Sequence, residues 1–266
     1  MRIAVIQLGY DDDEPFDARV DRVSALVADQ AGHDLVVLPE LWGATGFDYT
    51  RWAGEAQPLG GPWARAMADA ARAASVVLHA GSFVERLHEP GADGNDLANT
   101  SLLLDADGSR LAVYRKIHRF GFGAGEPLLL EAGEQIVAPS LALGGTDVVT
   151  GLTTCYDLRF PELFRRLVDV GARLVLVPAA WPIARVEAWS LLGRARAIED
   201  QIVLVQCNTA GTHVGVTMGG RSQVVDATGA VVAQAGEDEE VLTVDVDLAA
   251  VDDWRERFPV LADRRL

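Results

Sequence analysis

Short apolar runs rich in Val, Ile and Leu recur along the chain, at Ile3 to Leu8, Leu35 to Leu38, Val76 to Phe83, Ser101 to Leu104 and Leu111 to Tyr114. The series continues with Val148 to Thr153, Leu174 to Val177, Ile202 to Gln206, Ser222 to Val225 and Val241 to Val246. Runs of this length, often β-branched, predict strands. Between several of them the apolar positions recur at helical spacing: Phe16, Val20, Val23 and Val27; Trp63, Met67, Ala70 and Ala74; Leu163, Phe164, Leu167 and Val168; Val186, Trp189, Leu192 and Ile198. Each set predicts a helix with one face on a core. The first half therefore alternates strand and helix, while Asp105-Ala-Asp-Gly108 and Asp226-Ala-Thr-Gly229 read as hairpin turns. A mixed α/β fold follows. No Pro/Ser-rich linker, fixed-period repeat or shift in composition divides the chain, so one domain over 1–266 is expected. The Gly/Asp-rich stretch Glu89 to Asp96 predicts an exposed loop.

Composition narrows the function. Hydrophobic residues make up 49% of the chain and charged ones 23%, enough apolar material for a sizeable core. The 39 acidic residues outnumber 23 basic ones, for a net charge of −16. With no Lys/Arg-rich run, such a surface argues against a nucleic-acid or anionic-membrane partner. The acidic runs Asp11 to Glu14 and Glu237 to Glu240 read as solvated loops. No apolar run approaches the roughly 20 residues of a membrane helix, and the N-terminus lacks a signal-peptide pattern. A soluble cytoplasmic protein is expected. Two cysteines, Cys155 and Cys207, are too few for a disulfide framework and predict reduced thiols.

Three segments each place a reactive side chain where a strand ends. Leu35-Val-Val-Leu-Pro-Glu40 is a buried-looking strand broken by Pro39, so Glu40 emerges at its terminus. Alone, Glu40 could equally pair with a basic residue. Leu111 to Tyr114 runs into Arg115-Lys116-Ile-His118 and then the glycines of Gly121-Phe-Gly-Ala-Gly125, which lack the Gly-Lys-Ser/Thr ending of a phosphate loop. Val148 to Thr154 feeds Cys155, with Pro161 and Glu162 where a helix would begin. A thiol at such a corner gains nucleophilicity if a nearby cation lowers its pKa from about 8.5. A buried, inert thiol is the alternative for Cys155 and the reading adopted for Cys207. If Glu40, Lys116 and Cys155 converge, they supply a carboxylate base, a fixed cation and a nucleophile for acyl transfer. A Cys/His pair would have to draw on His118, the one histidine of five near a candidate motif. No metal-ligand spacing is present in the sequence, so zinc chemistry is not expected.

On these residues the chain resembles the nitrilase superfamily of carbon-nitrogen hydrolases. The matching motifs are Leu38-Pro-Glu40-Leu, Tyr114-Arg-Lys116-Ile-His118 and Cys155-Tyr-Asp-Leu-Arg159-Phe-Pro-Glu162. The likeness continues in order through Pro178-Ala-Ala-Trp-Pro182, Arg194 to Gln201, Gly220 to Asp226 and Arg255-Glu-Arg-Phe-Pro259. The resemblance implies a four-layer αββα sandwich with no cofactor, assembled as a homodimer or larger homo-oligomer. It also implies Glu40 as general base, Lys116 as oxyanion stabiliser, Cys155 as nucleophile and the N–H of Tyr156 as a second oxyanion donor. The family's second glutamate corresponds best to Glu126, seven residues before Gly133, with Glu131 and Glu134 as alternatives.

Within the superfamily, the Cys-Tyr-Asp-x-Arg-Phe-Pro signature and the Arg-Glu-Arg-Phe-Pro tail are most similar to the omega-amidase and deaminated glutathione amidase branch. That likeness implies cleavage of a small linear carboxamide, such as the terminal amide of a 2-oxo acid, to carboxylate and ammonia. N-carbamoyl or nitrile hydrolysis by the same triad, or a catalytically silent binding module, are the alternatives. Arg159, four residues after the nucleophile, sits where relatives place a carboxylate-binding arginine. An ion pair of Arg159 with Glu162 or Asp157 is the competing account. Phe47, Trp181 and Trp189 are further candidates for the pocket wall. Where many relatives carry His-Trp before the Leu-Leu of a later helix, this chain has Ala188-Trp189, so one substrate contact is expected to be missing.

Overall fold

In the computed structural model, which describes residues 1–265, the apolar runs become strands of two mixed sheets. The first half runs β1 (Arg2–Gln7), α1 (Phe16–Ala28), β2 (Leu35–Val37), α2 (Trp52–Glu55), α3 (Pro62–Ala74), β3 (Val77–Arg86), β4 (Leu97–Leu104), β5 (Arg110–Arg115) and α4 (Glu126–Leu129). The second half runs β6 (Ser140–Leu143), β7 (Thr146–Leu152), α5 (Pro161–Asp169), β8 (Leu174–Pro178), α6 (Val186–Asp200) and β9 (Val203–Cys207). It closes with β10 (Thr212–His213), β11 (Val216–Thr217), β12 (Gln223–Val225), β13 (Val231–Gln234), β14 (Glu240–Asp245) and α7 (Ala249–Arg257).

The sheets have orders β14-β1-β2-β3-β4-β5 and β13-β12-β9-β8-β7-β6. In each, three central strands are parallel, β1 to β3 in one and β7 to β9 in the other, with antiparallel strands outside them. Parallel strands buried on both faces carry unbroken Val/Ile/Leu runs, which is why these segments were readable without alternation. Three apolar layers result. Val5, Val37, Leu103 and Tyr114 of the first sheet meet Leu152, Leu176 and Val205 of the second. On the outer face of the first sheet, Ile6 and Leu38 pack on Val23 and Val27 of α1 and Trp63 and Met67 of α3. On the outer face of the second, Val175 and Val177 pack on Phe164 and Leu167 of α5 and Trp189 of α6. The layers are therefore α, β, β, α, the sandwich that the resemblance implies. Each fully buried Val or Leu in them contributes about 1.5–3 kcal/mol.

The differences from the sequence reading are local. The stripe expected on α6 is rotated. Val186 and Trp189 are buried, whereas Ile198 is 50% exposed and the inward face includes Gly193, Arg196 and Ala197. Gly193 admits the Gln206 carboxamide, which would overlap a Cβ at 1.6 Å. Strand β6 and helix α7 were not expected: β6 is a four-residue strand at the sheet edge and α7 buries only Val251, whereas β13 pairs with β12 across the Asp226–Gly229 turn as the hairpin reading implies. Glu89 to Asp96 forms an exposed loop, as predicted. Among the described residues no helix is long and apolar enough to cross a membrane, and both cysteines are buried and unpaired.

Candidate active site

Pro39 ends the β2 ladder, and the chain turns across a bulge in β3. The amide of Leu38 donates to the His79 carbonyl at 2.9 Å and that of Ser82 to the Pro39 carbonyl at 3.2 Å. Gly81, at φ +69°, makes this crossing possible, since a Cβ there would lie 1.9 Å from the Pro39 oxygen. Glu40 follows, 3% exposed. Across the sheet, Lys116 is the first residue past β5, and its N–H donates to the carbonyl of Asn99 on β4 at 2.9 Å. Register therefore sets the Asn99 and Lys116 side chains together. On the facing sheet β7 ends at Leu152, and Cys155 begins a 3-10 turn, Cys155–Arg159, before Pro161 opens α5.

Cys155 sits in the left-handed region, at φ +49°, which a non-glycine residue adopts only when its surroundings enforce it. Asp157, fully buried, does the enforcing. One of its oxygens accepts from Thr154 N at 2.8 Å and Tyr114 Oη at 2.6 Å. The other accepts from His118 N at 3.0 Å and lies 2.7 Å from His118 Nδ1. One carboxylate thus ties the nucleophile turn of one sheet to the lysine segment of the other.

Glu40, Lys116 and Cys155 converge at the floor of one cleft. Lys116 Nζ lies 2.7 Å from Glu40 Oε1 and 2.8 Å from Glu126 Oε2. Glu40 Oε2 accepts from the Ala180 N–H at 3.0 Å. Of the three glutamates considered after the lysine, Glu126 reaches Lys116. Glu131 instead accepts from the amides of Asp93 and Asn95, bracing the exposed loop, and Glu134 is exposed. Asn99, not foreseen, donates from Nδ2 to both Glu40 Oε1 and Glu126 Oε1 at 2.9 Å.

The electrostatics correct one expectation. Lys116 was expected to draw the Cys155 pKa down. Burial first, and the neighbouring Glu40 charge second, instead push it well above the usual thiol value, with Lys116 offsetting only part. Burial and Glu40 thus both favour the neutral thiol, beside the carboxylate positioned to take its proton. Burial acts to lower the Lys116 pKa, but attraction to Glu126 and Glu40 outweighs it and holds the ammonium well above its ordinary range. Burial also pushes Glu126 up, against the pull of Lys116.

The cleft walls include Phe47, Tyr156, Trp181 and Arg159, as expected, and also Tyr49, Phe120 and Arg185. Arg159 forms no ion pair with Glu162 or Asp157. Its guanidinium lies 4.9 Å over the Trp181 ring, leaving its N–H groups available to the cleft. Arg185 lies 5.3 Å over Phe120 in the same manner. Trp189 is not a wall residue. It packs beneath Trp181, ring centroids 5.4 Å apart, and donates to the Arg221 carbonyl. His118 stacks on Phe160 at 3.7 Å and faces Asp157, not the thiol. Cys207 donates to the Ile6 and Val37 carbonyls between the sheets, a buried structural thiol.

The model of the family described as carbon-nitrogen hydrolase matches residues 2–256. A protein of Paenarthrobacter nicotinovorans named 2-oxoglutaramate amidase is 43% identical over 99% of this chain and 89% of its own length. A Bacillus subtilis protein of the same name is 33% identical over 87% of this chain and 85% of its own. Among solved structures, the CN-hydrolase superfamily protein XC1258 of Xanthomonas campestris, with an arsenic adduct in its active site, superposes with a TM-score of 0.88. It is 30% identical, covering 100% of this chain and 97% of that one. A variant of the Nesterenkonia sp. AN1 amidase, with the acetamide moiety of fluoroacetamide added covalently at its active-site cysteine, gives 0.76 at 27% identity, covering 100% and 97%.

Proposed function

This chain belongs to the carbon-nitrogen hydrolase family, and from that premise we propose that it is a thiol-dependent amidase cleaving a small linear carboxamide that bears a carboxylate, such as a 2-oxo acid omega-amide. The observation that carries the reading is the convergence of Glu40, Lys116 and Cys155 at one cleft floor, with Lys116 Nζ 2.7 Å from Glu40.

In this mechanism the Cys155 sulfur attacks the amide carbon as its proton passes to Glu40. Because burial and Glu40 push the thiol pKa up, that transfer is part of the attack. The carbonyl electron pair moves onto oxygen, where the Lys116 ammonium and the Tyr156 N–H stabilise it in a water-poor site. Collapse breaks the C–N bond, Glu40 returns the proton, and ammonia leaves. Water then attacks the thioester, giving a proton to Glu40; the acyl carbon leaves as carboxylate and the thiol is restored. Glu126, held against Lys116, keeps the ammonium charged throughout.

Specificity for a carboxylate-bearing amide is supported by Arg159, whose fork has no ion pair among the described residues and lines the cleft in an otherwise acidic protein. The printed names of the Paenarthrobacter and Bacillus relatives support a 2-oxo amide in particular. The reading treats 1–266 as one catalytic domain in the cytoplasm, consistent with two unpaired cysteines. It also takes the enzyme as a homo-oligomer, which the outward-facing Leu191 and Ile198 of α6 support.

The test is ammonia release from 2-oxoglutaramate, deaminated glutathione, N-carbamoyl amino acids, aliphatic amides and nitriles. Preference for the 2-oxo amides supports the reading. Preference for carbamoyl compounds or nitriles would keep the triad and overturn the substrate class, and no turnover of any would favour a silent module.

A further inference from the structure

We propose that Asn99 is a positioning residue whose amide hydrogens hold the Glu40 and Glu126 carboxylates on either side of Lys116 and loosen their grip on a proton, so that Glu40 can take the one from the thiol. The inference rests on the reaction proposed above and concerns a residue to which that reaction gives no role.

Asn99 is 2% exposed on β4, beside Lys116 in register. Its two amide hydrogens go to Glu40 Oε1 and Glu126 Oε1, each at 2.9 Å, while Oδ1 has no partner. The reversed amide would turn an oxygen toward two carboxylate oxygens, so the donor assignment is forced by the surroundings. A buried carbonyl left unpaired is a cost that an apolar side chain would avoid. What the asparagine supplies in return is the NH₂ group between two carboxylates.

The charge count gives this weight. Two carboxylates face one ammonium, and every hydrogen bond on them comes from a donor: Lys116 Nζ, Asn99 Nδ2 and the Ala180 and Phe120 amides. With both carboxylates ionised, one negative charge would rest on neutral donors only, and of these Asn99 alone touches both carboxylates. Tyr49 also faces the group, with its pKa raised by burial and then by Glu126, so it adds no charge. Arg159 and Arg185 line the cleft but do not pair with either carboxylate. Adjacent like charges deprived of donors share a proton instead. A protonated Glu40 would stop the reaction at its first step.

The experiment compares wild type with Asn99→Ala and the near-isosteric Asn99→Asp in the full chain. Two profiles are read against pH: kcat/KM for ammonia release, and the rate of Cys155 alkylation by iodoacetamide, which needs no amidase activity. Losing a donor makes a carboxylate hold its proton more tightly, so the acidic limb of both profiles moves to higher pH. The expected displacement is about 1 unit in Asn99→Ala, or roughly tenfold in rate below the limb, and more in Asn99→Asp, where a third carboxylate joins the group. A merely structural role would lower the plateau and leave the limb in place. An unmoved limb in both variants overturns the inference, whatever happens to kcat. Amidase activity in wild type with unmoved limbs would sink this inference and leave the functional reading intact. A displaced alkylation limb in a protein that hydrolyses no amide would do the reverse.

Discussion

Replacing Asp157 probes how the fold holds its nucleophile. The carboxylate is fully buried and serves Tyr114 Oη, Thr154 N, His118 N and His118 Nδ1, all within 3.0 Å. In Asp157→Ala all four partners are stranded, and at about 1 kcal/mol or more for each the loss is roughly 4 kcal/mol, a large share of a typical total stability. Asp157→Asn is the sharper variant. Its remaining oxygen keeps two partners, and the Tyr114 hydroxyl or the His118 ring can turn to accept from the new NH₂. Each carboxylate oxygen serves one backbone amide, so whichever oxygen is replaced, Thr154 N or His118 N is left facing an NH₂ group. One stranded donor costs about 1–3 kcal/mol. Urea unfolding measures the stability, and kcat measures the loosening of the left-handed Cys155 turn, expected to be at least about tenfold. An Asp157→Asn protein within about 0.5 kcal/mol of wild type and with unchanged kcat would show that Asp157 does not hold the Cys155 turn.

Other consequences are equally specific. Arg159→Met should raise KM for a carboxylate-bearing amide by about tenfold to a hundredfold, the worth of a charge-assisted hydrogen bond, and leave a neutral amide unaffected. An equal loss on both would remove Arg159 from substrate recognition. Stability should fall on acidification. Burial pushes His79 and His213 down to about 4 from the ordinary 6.5, so the unfolded chain takes up protons that the native state refuses. Their stabilisation is complete above about 6.5 and is lost as pH falls toward 4, by about 3 kcal/mol for each. Asp200, pushed by burial to about 6 from 3.8, acts in the opposite sense between those values, as does Glu126, which burial also raises, but the two imidazoles begin to lose stability first, at about 6.5. A urea midpoint that stays flat from about pH 7 to pH 5 would contradict this assignment.

The parts of this molecule that were readable in advance share a physical cause. Parallel strands and the α1, α3 and α5 faces bury continuous or 3.6-periodic apolar sets, and periodicity reports burial directly. Glu40, Lys116 and Cys155 were readable because each stands where an apolar run is broken by chemistry. Asn99 was not: it lies inside a run of polar residues in Leu97–Leu104, and its partners are 59 and 27 residues away. Asp157 was weighed only as a partner for Arg159, since nothing local shows that Tyr114 and His118 arrive from the other sheet. The direction of the Cys155 shift was misread for a related reason. Neighbouring motifs suggest which charges come close, but burial decides their balance, and burial is a property of the assembled cleft.

In the proposed reaction Cys155, not Cys207 or a bound water, attacks the amide, and Glu40 carries its proton. Ammonia release from the preferred amide by wild type, Cys155→Ala and Glu40→Gln, with acid-quenched samples analysed by peptide mass spectrometry, tests it most directly. Cys155→Ala should show no turnover, Glu40→Gln should lose orders of magnitude in kcat, and an acyl adduct should be confined to the Cys155 peptide. Near-wild-type ammonia release from either variant, or an adduct on the Cys207 peptide, would contradict the proposed reaction.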